Sequence, residues 1–363
     1  MSKLIHVLLG TKAELIKLAP VLAEFDRREI TYRLVETGQH AAHLPGLCRE
    51  LGVREPDLRL GGTADIDSIW RALKWMTSLL KLLFHKKKLS NQIFDDAGGV
   101  CLVHGDTPST LVATLLARRA GLKVAHLESG LRSGDFRNPF PEELIRVLVM
   151  RRADIAFTPT PEATRNLKSM MTQAQIVETS GNTGAEALRK HLINVVPGSG
   201  PIIATLHRVE NLHRKSRFEG FLNLLSELAE SGQDVLFVVH PPTALVLDER
   251  GTRLTLKNAG VRISELLPFS DFVVSLCEAP FVITDGGSIQ EECARLGTPC
   301  LLWRSRTERP DGLGANVVVS GYDQDTTELF LNNPDIHRQP IKFDDGQPSV
   351  EVVDSLLVML TSD

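Results

Sequence analysis

Two doubly wound α/β halves are predicted by three features of this chain. Short apolar runs alternate with amphipathic stretches along its 363 residues. The alternation pauses at a Pro/Gly patch, VVPGSGP at 195–201, and then starts again. The runs are continuously apolar, which is the pattern of parallel strands covered on both faces rather than of strands with one wet face. A chain of this length accommodates two domains, each with its own core. The expected division is a Rossmann-like domain at 1–180 plus 346–363, closed by a crossover helix, and a second Rossmann-like domain at 181–345.

In the first half, strands are expected at 4–9, 32–36, 100–104, 123–127 and 155–158. Helices are expected between them at 13–27, 109–120, 142–152 and 161–169. In the second half the expected strands are 202–206, 235–239, 261–263, 281–284, 300–303 and 317–319. Residues 283–295 read as strand, turn and helix. The last amphipathic stretch, 350–360, follows a polar segment and is expected to return to the first half. Residues 69–89 stand outside the alternation. Ile69, Leu73, Met76, Leu80 and Leu83 recur at helical spacing, and Trp70, Trp75, Leu79, Leu82 and Phe84 widen that face. Lys86, Lys87 and Lys88 close the segment with charge. A helix packed on its domain or on a second subunit is expected. A helix lying on a membrane surface is the alternative, because basic flanks with Trp are typical of such helices.

Composition narrows the function. The chain has 41 Lys+Arg against 45 Asp+Glu, so it lacks the basic excess of a nucleic-acid binder. Cys48, Cys101, Cys277, Cys293 and Cys300 are scattered without CxxC spacing, which reads as buried thiols in a reducing cytosol. A cytoplasmic location is expected. The opening MSKLIHVLLG is too short an apolar run for a signal peptide, and no stretch of about 18 apolar residues exists. No G-x-G-x-x-G or Walker A pattern occurs, so a dinucleotide or ATP cradle is not expected.

Strand ends are where an open α/β sheet binds ligands. Lys12 and Lys17 follow the first strand at a helix start, where anions are favoured. Asp106 ends the strand at 100–104, with Thr107 or Ser109 placed to cap the next helix. Glu128 ends the neighbouring strand. Two carboxylates on adjacent tips are expected to act as a like-charge pair, with one pKa raised. Glu142 and Arg146, four residues apart on a helix start, are expected to pair. In the second half His207 and Arg208 end one strand and His240 ends the next. The backbone amides of Gly286, Gly287 and Ser288, at a helix N-terminus, are expected to face a phosphate. Glu292 is placed for ribose hydroxyls, and Arg309 for a pyrophosphate.

Together these segments resemble the non-hydrolysing bacterial UDP-N-acetylglucosamine 2-epimerases. The order GTKAELIKLAP, ETGQH, VHGDTPSTL, HLESGLRSGD, PFPEELIR, SGNTGAEAL, TLHRVEN, TDGGSIQEE and RTERP is kept over nearly the whole chain. The resemblance implies a GT-B-like fold, two Rossmann-type domains with the active site in the cleft between them and UDP on the second. It implies inversion at C2 of the sugar through elimination of UDP to a 2-acetamidoglucal and re-addition. By resemblance Asp106, Glu128 and Glu142 are the catalytic carboxylates, with the base and acid roles open. His207 assists the departing diphosphate, and Arg146 positions Glu142. Lys12, Lys17, Phe269, Gly286, Gly287, Ser288, Glu292 and Arg309 match substrate-binding positions. Gln39, His40, Arg208 and His240 match part of an allosteric site for a second UDP-GlcNAc. No metal or redox cofactor is implied, and a homodimer is expected.

The chain departs from the family at four points, one of them residues 69–88, which are longer and more apolar than the corresponding family region. GTKAE replaces GTRPE, Gly286-Gly287-Ser288 replaces Ser-Gly-Gly, and HRVEN carries Val209 in place of a charged residue. A modified UDP-HexNAc substrate therefore stays open. So do a hydrolysing 2-epimerase releasing ManNAc and UDP, against which Gln290, Glu291 and Glu292 speak, and a GT-B glycosyltransferase.

Overall fold

The computed structural model describes residues 4–42, 44–62, 66, 69–95, 98–134, 141–192, 195–307, 309–343 and 346–361. The chain divides into two compact units, Met1–Ala187 with Asp344–Asp363, and Leu188–Phe343. The first division falls later than the expected 180/181. The reason is local: Glu186 belongs to the first unit, accepting hydrogen bonds from Ser349 N at 3.0 Å and Ser349 Oγ at 2.9 Å.

The first unit runs β1 (Leu4–Leu9), α1 (Lys12–Arg27), β2 (Tyr32–Glu36), α2 (Leu44–Leu51), β3 (Leu58–Arg59), α3 (Ile69–Leu80) and α4 (Lys86–Ile93). It continues β4 (Gly99–His104), α5 (Pro108–Ala120), β5 (Lys123–Leu127), α6 (Glu142–Met150), β6 (Ile155–Thr158), α7 (Pro161–Ser169), β7 (Gln175–Glu178) and α8 (Thr183–Arg189). All its strand pairings are parallel, in the order β3-β2-β1-β4-β5-β6-β7. β1 is buried along nearly its whole length, as a run covered on both faces must be.

The second unit runs β8 (Ile202–Thr205), α9 (Val209–Leu212), α10 (Lys215–Glu230), β9 (Val235–Val238), α11 (Pro241–Glu249), α12 (Arg253–Asn258) and β10 (Arg262–Ser264). It continues α13 (Phe269–Glu278), β11 (Val282–Thr284), α14 (Gly287–Leu296), β12 (Cys300–Leu302), β13 (Val317–Val319) and α15 (Gln324–Asn332). Its sheet is also parallel, in the order β10-β9-β8-β11-β12-β13. Two apolar clusters, one around Phe221 and Phe237 and one around Leu276 and Val282, form its core. The final helix, α16 (Pro348–Thr361), packs on α1 of the first unit, with Arg28 Nη1 2.5 Å from Asp354 Oδ1.

In each sheet the chain reverses its direction of travel between two neighbouring strands, β1 and β4 in one and β8 and β11 in the other. The connections leaving these pairs diverge and leave a crevice at the carboxyl ends, where ligands bind in such sheets.

The segment at 69–89 is not one helix. α3 stops at Leu80, a 3₁₀ turn follows at Lys81–Phe84, and α4 begins after His85. Much of the expected stripe does pack: Met76, Leu80 and Leu83, with Leu82, lie against the first unit's core. Trp75 and Leu79 are buried in the first unit's core, while Leu73 is exposed. Trp75 wins because its indole N–H finds a partner, Thr37 O at 2.7 Å. All five cysteines are buried free thiols. Among the described residues no helix is long and apolar enough to cross a membrane.

Candidate active site

The crevice of the first unit is built by two caps that face each other across β1 and β4. Thr11 caps α1, and Glu14 completes a capping box by accepting from Gly10 N at 2.6 Å and Thr11 N at 3.3 Å. The other Glu14 oxygen takes hydrogen bonds from the hydroxyls of Thr107 and Thr110 at the start of α5. Burial pushes the Glu14 carboxyl above its ordinary value, against the pull of the Thr107 and Gly10 hydrogen bonds. Thr107 caps α5, so Asp106 is released from capping duty. The packing here leaves no room. A Cβ on Gly10 would lie 2.1 Å from both Ser109 Oγ and Thr37 Oγ1.

β4 and β5 are neighbours in register, and Gly105 N donates to Leu127 O at 3.1 Å. Asp106 and Glu128 therefore stand on adjacent tips. They do not form the expected like-charge pair, because each has its own cation. Lys17 Nζ lies 2.6 Å from Glu128 Oε2, and His104 Nε2 lies 2.8 Å from the same oxygen. Burial opposes the Glu128 charge, but Lys17 and His104 outweigh it and hold the carboxyl well below the usual range. Asp106 pairs with Arg146 Nη2.

Arg146 does not pair with Glu142. Its other nitrogen donates to Glu143 Oε2 at 2.9 Å. Glu143 is fully buried and is also held by Arg132 Nε at 2.5 Å and Ser133 N at 3.1 Å. A buried carboxylate needs compensating donors more than a half-exposed one does, so it draws the arginine. Burial works against Glu143 ionisation, and Arg132, Ser133 N and Arg146 overcome it, leaving its pKa lowered. Glu142 Oε2 is buried and takes no hydrogen bond among the described residues. Residues 135–140 of the preceding loop lie outside them.

Behind Asp106 sits His126, fully buried on β5. Its Nε2 is 2.8 Å from Gly105 O, the carbonyl just before Asp106. Burial pulls this imidazole down to about 4, so it is neutral with the proton on Nε2. In the first turn of α5, Ser109 Oγ donates to Gln39 Oε1 at 2.5 Å. His40 Nδ1 accepts from Lys12 N at 3.4 Å.

The crevice of the second unit is organised by one buried residue, Asp285. It accepts from His207 N at 3.0 Å, Arg208 N at 2.9 Å and Asn211 Nδ2 at 2.9 Å. Its Oδ1 also lies 3.2 Å from His207 Nδ1. Burial opposes the Asp285 charge, and His207, Asn211 and Arg208 N hold its pKa low nonetheless. The His207 ring is one-third exposed and tilts against His240 at 4.7 Å. His240 itself occupies the N-cap position of α11 without a side-chain cap bond.

Gly286 caps α14. Its amide donates to Thr284 Oγ1 at 2.9 Å, so it is committed within the turn, contrary to expectation. Gly287 and Ser288 open the helix, where backbone amides lack helical acceptors. A Cβ on Gly286 would come to 3.0 Å from His207 Cε1, which keeps the position small. Glu292 follows on α14. Arg309 is held 2.6 Å from Glu291 Oε2 rather than standing open, and Gln290 Nε2 fixes the backbone of its loop at Arg309 O and Asp311 O. Phe269 is buried at the start of α13, with the His191 ring edge-on at 5.5 Å.

Sequence reasoning thus missed Glu14, His104, His126, Glu143 and Asp285. Two left a local signal: Thr11-x-x-Glu14 is a capping-box spacing, and Asp285 is a lone acid between a strand and Gly-Gly. His104 and His126 acquire meaning only from neighbours more than twenty residues away, and Glu143 from its burial beside Arg132 and Arg146. Among the described residues no group of three or more His, Cys, Asp or Glu is placed to hold a metal ion.

A sequence profile described as UDP-N-acetylglucosamine 2-epimerase matches residues 23–357. The chain is 29% identical to the UDP-N-acetylglucosamine 2-epimerase of Methanocaldococcus jannaschii, over 96% of this chain and 97% of that one. It is 30% identical to a UDP-2,3-diacetamido-2,3-dideoxy-D-glucuronate 2-epimerase of Pseudomonas aeruginosa, over 87% and 88%. The fold is similar to the crystal structure of the M. jannaschii UDP-GlcNAc 2-epimerase in complex with UDP-GlcNAc and UDP. The TM-score is 0.79 at 26% identity, covering 98% of this chain and 99% of that one.

Proposed function

The chain belongs to the UDP-N-acetylglucosamine 2-epimerase family, and from that premise we propose how its residues interconvert UDP-GlcNAc and UDP-ManNAc without net hydrolysis. The observation that carries the reading is the row of paired charges at the tips of β4 and β5, Lys17 with Glu128 and Arg146 with Asp106. Epimerisation at C2 needs a proton removed from one face and returned to the other. A carboxylate takes the C2 proton while the C1–O bond breaks and its electron pair leaves with UDP. The resulting 2-acetamidoglucal accepts UDP again at C1 as a second carboxyl delivers a proton to the opposite face of C2.

Glu128, held ionised by Lys17 and His104, is suited to stabilise positive charge, is a weakened base while Lys17 stays paired with it, and is unsuited to donate a proton at neutral pH. Asp106 and Glu142 complete the acid–base set, with Arg146 aligning Asp106. His207, with Nδ1 against Asp285, presents Nε2 to the leaving diphosphate. Such stabilisation of developing charge is often the largest catalytic contribution. Gly287 N and Ser288 N, with Gly286, Phe269, Glu292 and Arg309, bind the nucleotide, and Lys12 lies at the sugar or phosphate end. Gln39, His40, Arg208 and His240 take a second UDP-GlcNAc as activator. UDP-ManNAc alone then converts slowly until UDP-GlcNAc is added.

The test is incubation with UDP-GlcNAc in deuterated water, followed by NMR. Deuterium at C2 of a UDP-linked sugar is expected. Free ManNAc with UDP would make the enzyme hydrolysing, and no exchange would remove the reading. A second reading concerns the substituents. The P. aeruginosa relative's named substrate differs from UDP-GlcNAc at C3 and C6 but keeps UDP and the C2 acetamido group. Identity to that relative is 30% over 87% of this chain, beside 29% over 96% for the M. jannaschii one, so a diacetamido uronic acid substrate is run in parallel.

A further inference from the structure

Asp285, the carboxylate behind His207, is itself held by a chain of contacts that leads away from the reacting groups. Asn211 is fully buried on α9. Its Nδ2 donates to Asp285 Oδ2 at 2.9 Å and to Trp303 O at 3.1 Å. Two acceptors on one side of the amide put its oxygen on the other, where a buried oxygen needs a donor. Tyr322 supplies one, its hydroxyl donating to Asn211 Oδ1 at 2.8 Å. Burial pushes the Tyr322 pKa up, against the pull of Arg217, so the hydroxyl keeps its proton.

Tyr322 is held in place against a backbone preference. It follows β13 with a φ of 61°, directly after Gly321 at 63°. A left-handed non-glycine residue persists where its surroundings over-determine it. Arg217 Cζ lies over the Tyr322 ring at 4.2 Å from its centroid, and Trp303 meets the ring edge-on at 5.7 Å. Gly321 N donates to Arg304 O at 2.9 Å, and Tyr322 N to Ser320 Oγ at 3.2 Å. The ring is clamped, and its hydroxyl meets a single side chain.

The two oxygens of Asp285 have different tasks. Oδ2 accepts from Asn211 Nδ2 and from Arg208 N at 2.9 Å, while Oδ1 lies 3.2 Å from His207 Nδ1. Anchoring Oδ2 keeps Oδ1 on the imidazole. An Asn211 oxygen left without its donor would turn the amide, withdraw Nδ2 from Oδ2 and free the carboxylate to rotate. The proton on a histidine goes to the nitrogen that has an acceptor.

We propose that Tyr322 is a positioning residue for His207, acting through Asn211 and Asp285 to keep the Nδ1 proton facing Asp285 and Nε2 directed at the substrate. The inference rests on the reading of His207 as the group at the leaving diphosphate.

The experiment replaces Tyr322→Phe in the full chain, which keeps the ring and its packing and removes only the hydroxyl. The kcat for UDP-GlcNAc falls about tenfold, the scale of one buried acceptor left unmet. KM and the Kd of UDP stay within about twofold, as for an interaction realised in the transition state. NMR of the imidazole nitrogens in alkaline buffer, without nucleotide, reads the tautomer directly. His207 passes from the Nδ1–H form in the wild type to a mixture of both forms in the variant, and His207→Gln assigns the signal. Asn211→Ala loses at least as much kcat, and adding Tyr322→Phe to it costs nothing more, because both act through one path. Arg217→Met strips packing from the same ring but leaves the hydroxyl, and it keeps kcat and the His207 signals. Wild-type kcat in Tyr322→Phe, a matching change in KM or in the Kd of UDP, or unchanged His207 signals overturns the proposal. So does a further loss on top of Asn211→Ala, or the same losses from Arg217→Met. A wild-type protein that exchanges no deuterium at C2 removes the proposed function instead, and the nitrogen signals still decide whether Tyr322 orients His207.

Discussion

Glu128 sits at a φ of 60°, a left-handed backbone that costs a non-glycine residue about 1–2 kcal/mol. Lys17 and His104 offset that strain by fixing its carboxylate from two sides. Removing the ammonium removes the main opponent of burial, so Lys17→Met raises the Glu128 pKa. The acidic limb of kcat/KM then moves to higher pH; an unmoved limb would mean that Glu128 ionisation does not govern turnover. Asp285→Asn keeps the shape but loses the charge beside His207 Nδ1, and kcat falls by about 10²-fold or more with a smaller change in KM. His126 makes a stability prediction. Its folded pKa of about 4 lies below the ordinary 6.5, so the unfolded chain binds more protons between those values. The contribution of neutral His126 is complete above pH 6.5 and is lost as pH falls through 4. His126→Gln keeps an N–H for Gly105 O without a titrating ring, and its urea stability falls less steeply than wild type from pH 6.5 to 4. The positions of Asp106 and Glu128 at strand ends were legible in the sequence. Their cations were not, since Lys17 lies 111 residues from Glu128 in the chain.

At the scale of elements, local chemistry accounts for the starts and stops of several of the expected helices. Thr11 and Thr107 are caps, Pro108 and Pro161 open their helices, and Gly121 ends α5 at a φ of 91°. The crevice is less tolerant than this pattern suggests. Gly10→Ala forces a methyl onto Ser109 and Thr37, and the expected loss is about 1–3 kcal/mol in urea unfolding. An unchanged midpoint would mean that the two hydroxyls move aside at little cost. One pairing failed at this scale, Glu142 with Arg146, and one stripe packed only in part, for the same reason. Helical spacing makes Arg146 equally available to Glu142 and Glu143, and makes both faces of 69–89 apolar enough to pack. The choice falls to whichever group has a buried partner, Glu143 with Arg132 and Ser133 N in one case, and Trp75 with Thr37 O in the other.

The whole molecule is two parallel sheets in two units, with the chain returning at its end to the unit where it began. Val352, Val353 and Leu356 of α16 are fully buried, and each contributes about 1.5–3 kcal/mol. Truncation at residue 347 removes a sum comparable to the whole stability of a domain, so the first unit's unfolding transition is expected to disappear from the thermal melt. UDP alone, at a hundredfold excess over its Kd, stabilises the second unit by about 2.7 kcal/mol; a shift confined to the first unit would relocate the nucleotide site. The short β3 and β7 went unread, while the residues read in order were enough for the fold class, eleven of the thirteen strands, the family and the carboxylates at strand tips. These follow from periodicity and short motifs, which act over a few residues. Only the tertiary structure decided which charge answers which: Lys17 to Glu128, Arg146 to Asp106 and Glu143, Asp285 to His207. Electrostatics and burial act through space, and the order of strands brings Lys17 to Glu128 and His207 to Asp285 from distant parts of the chain.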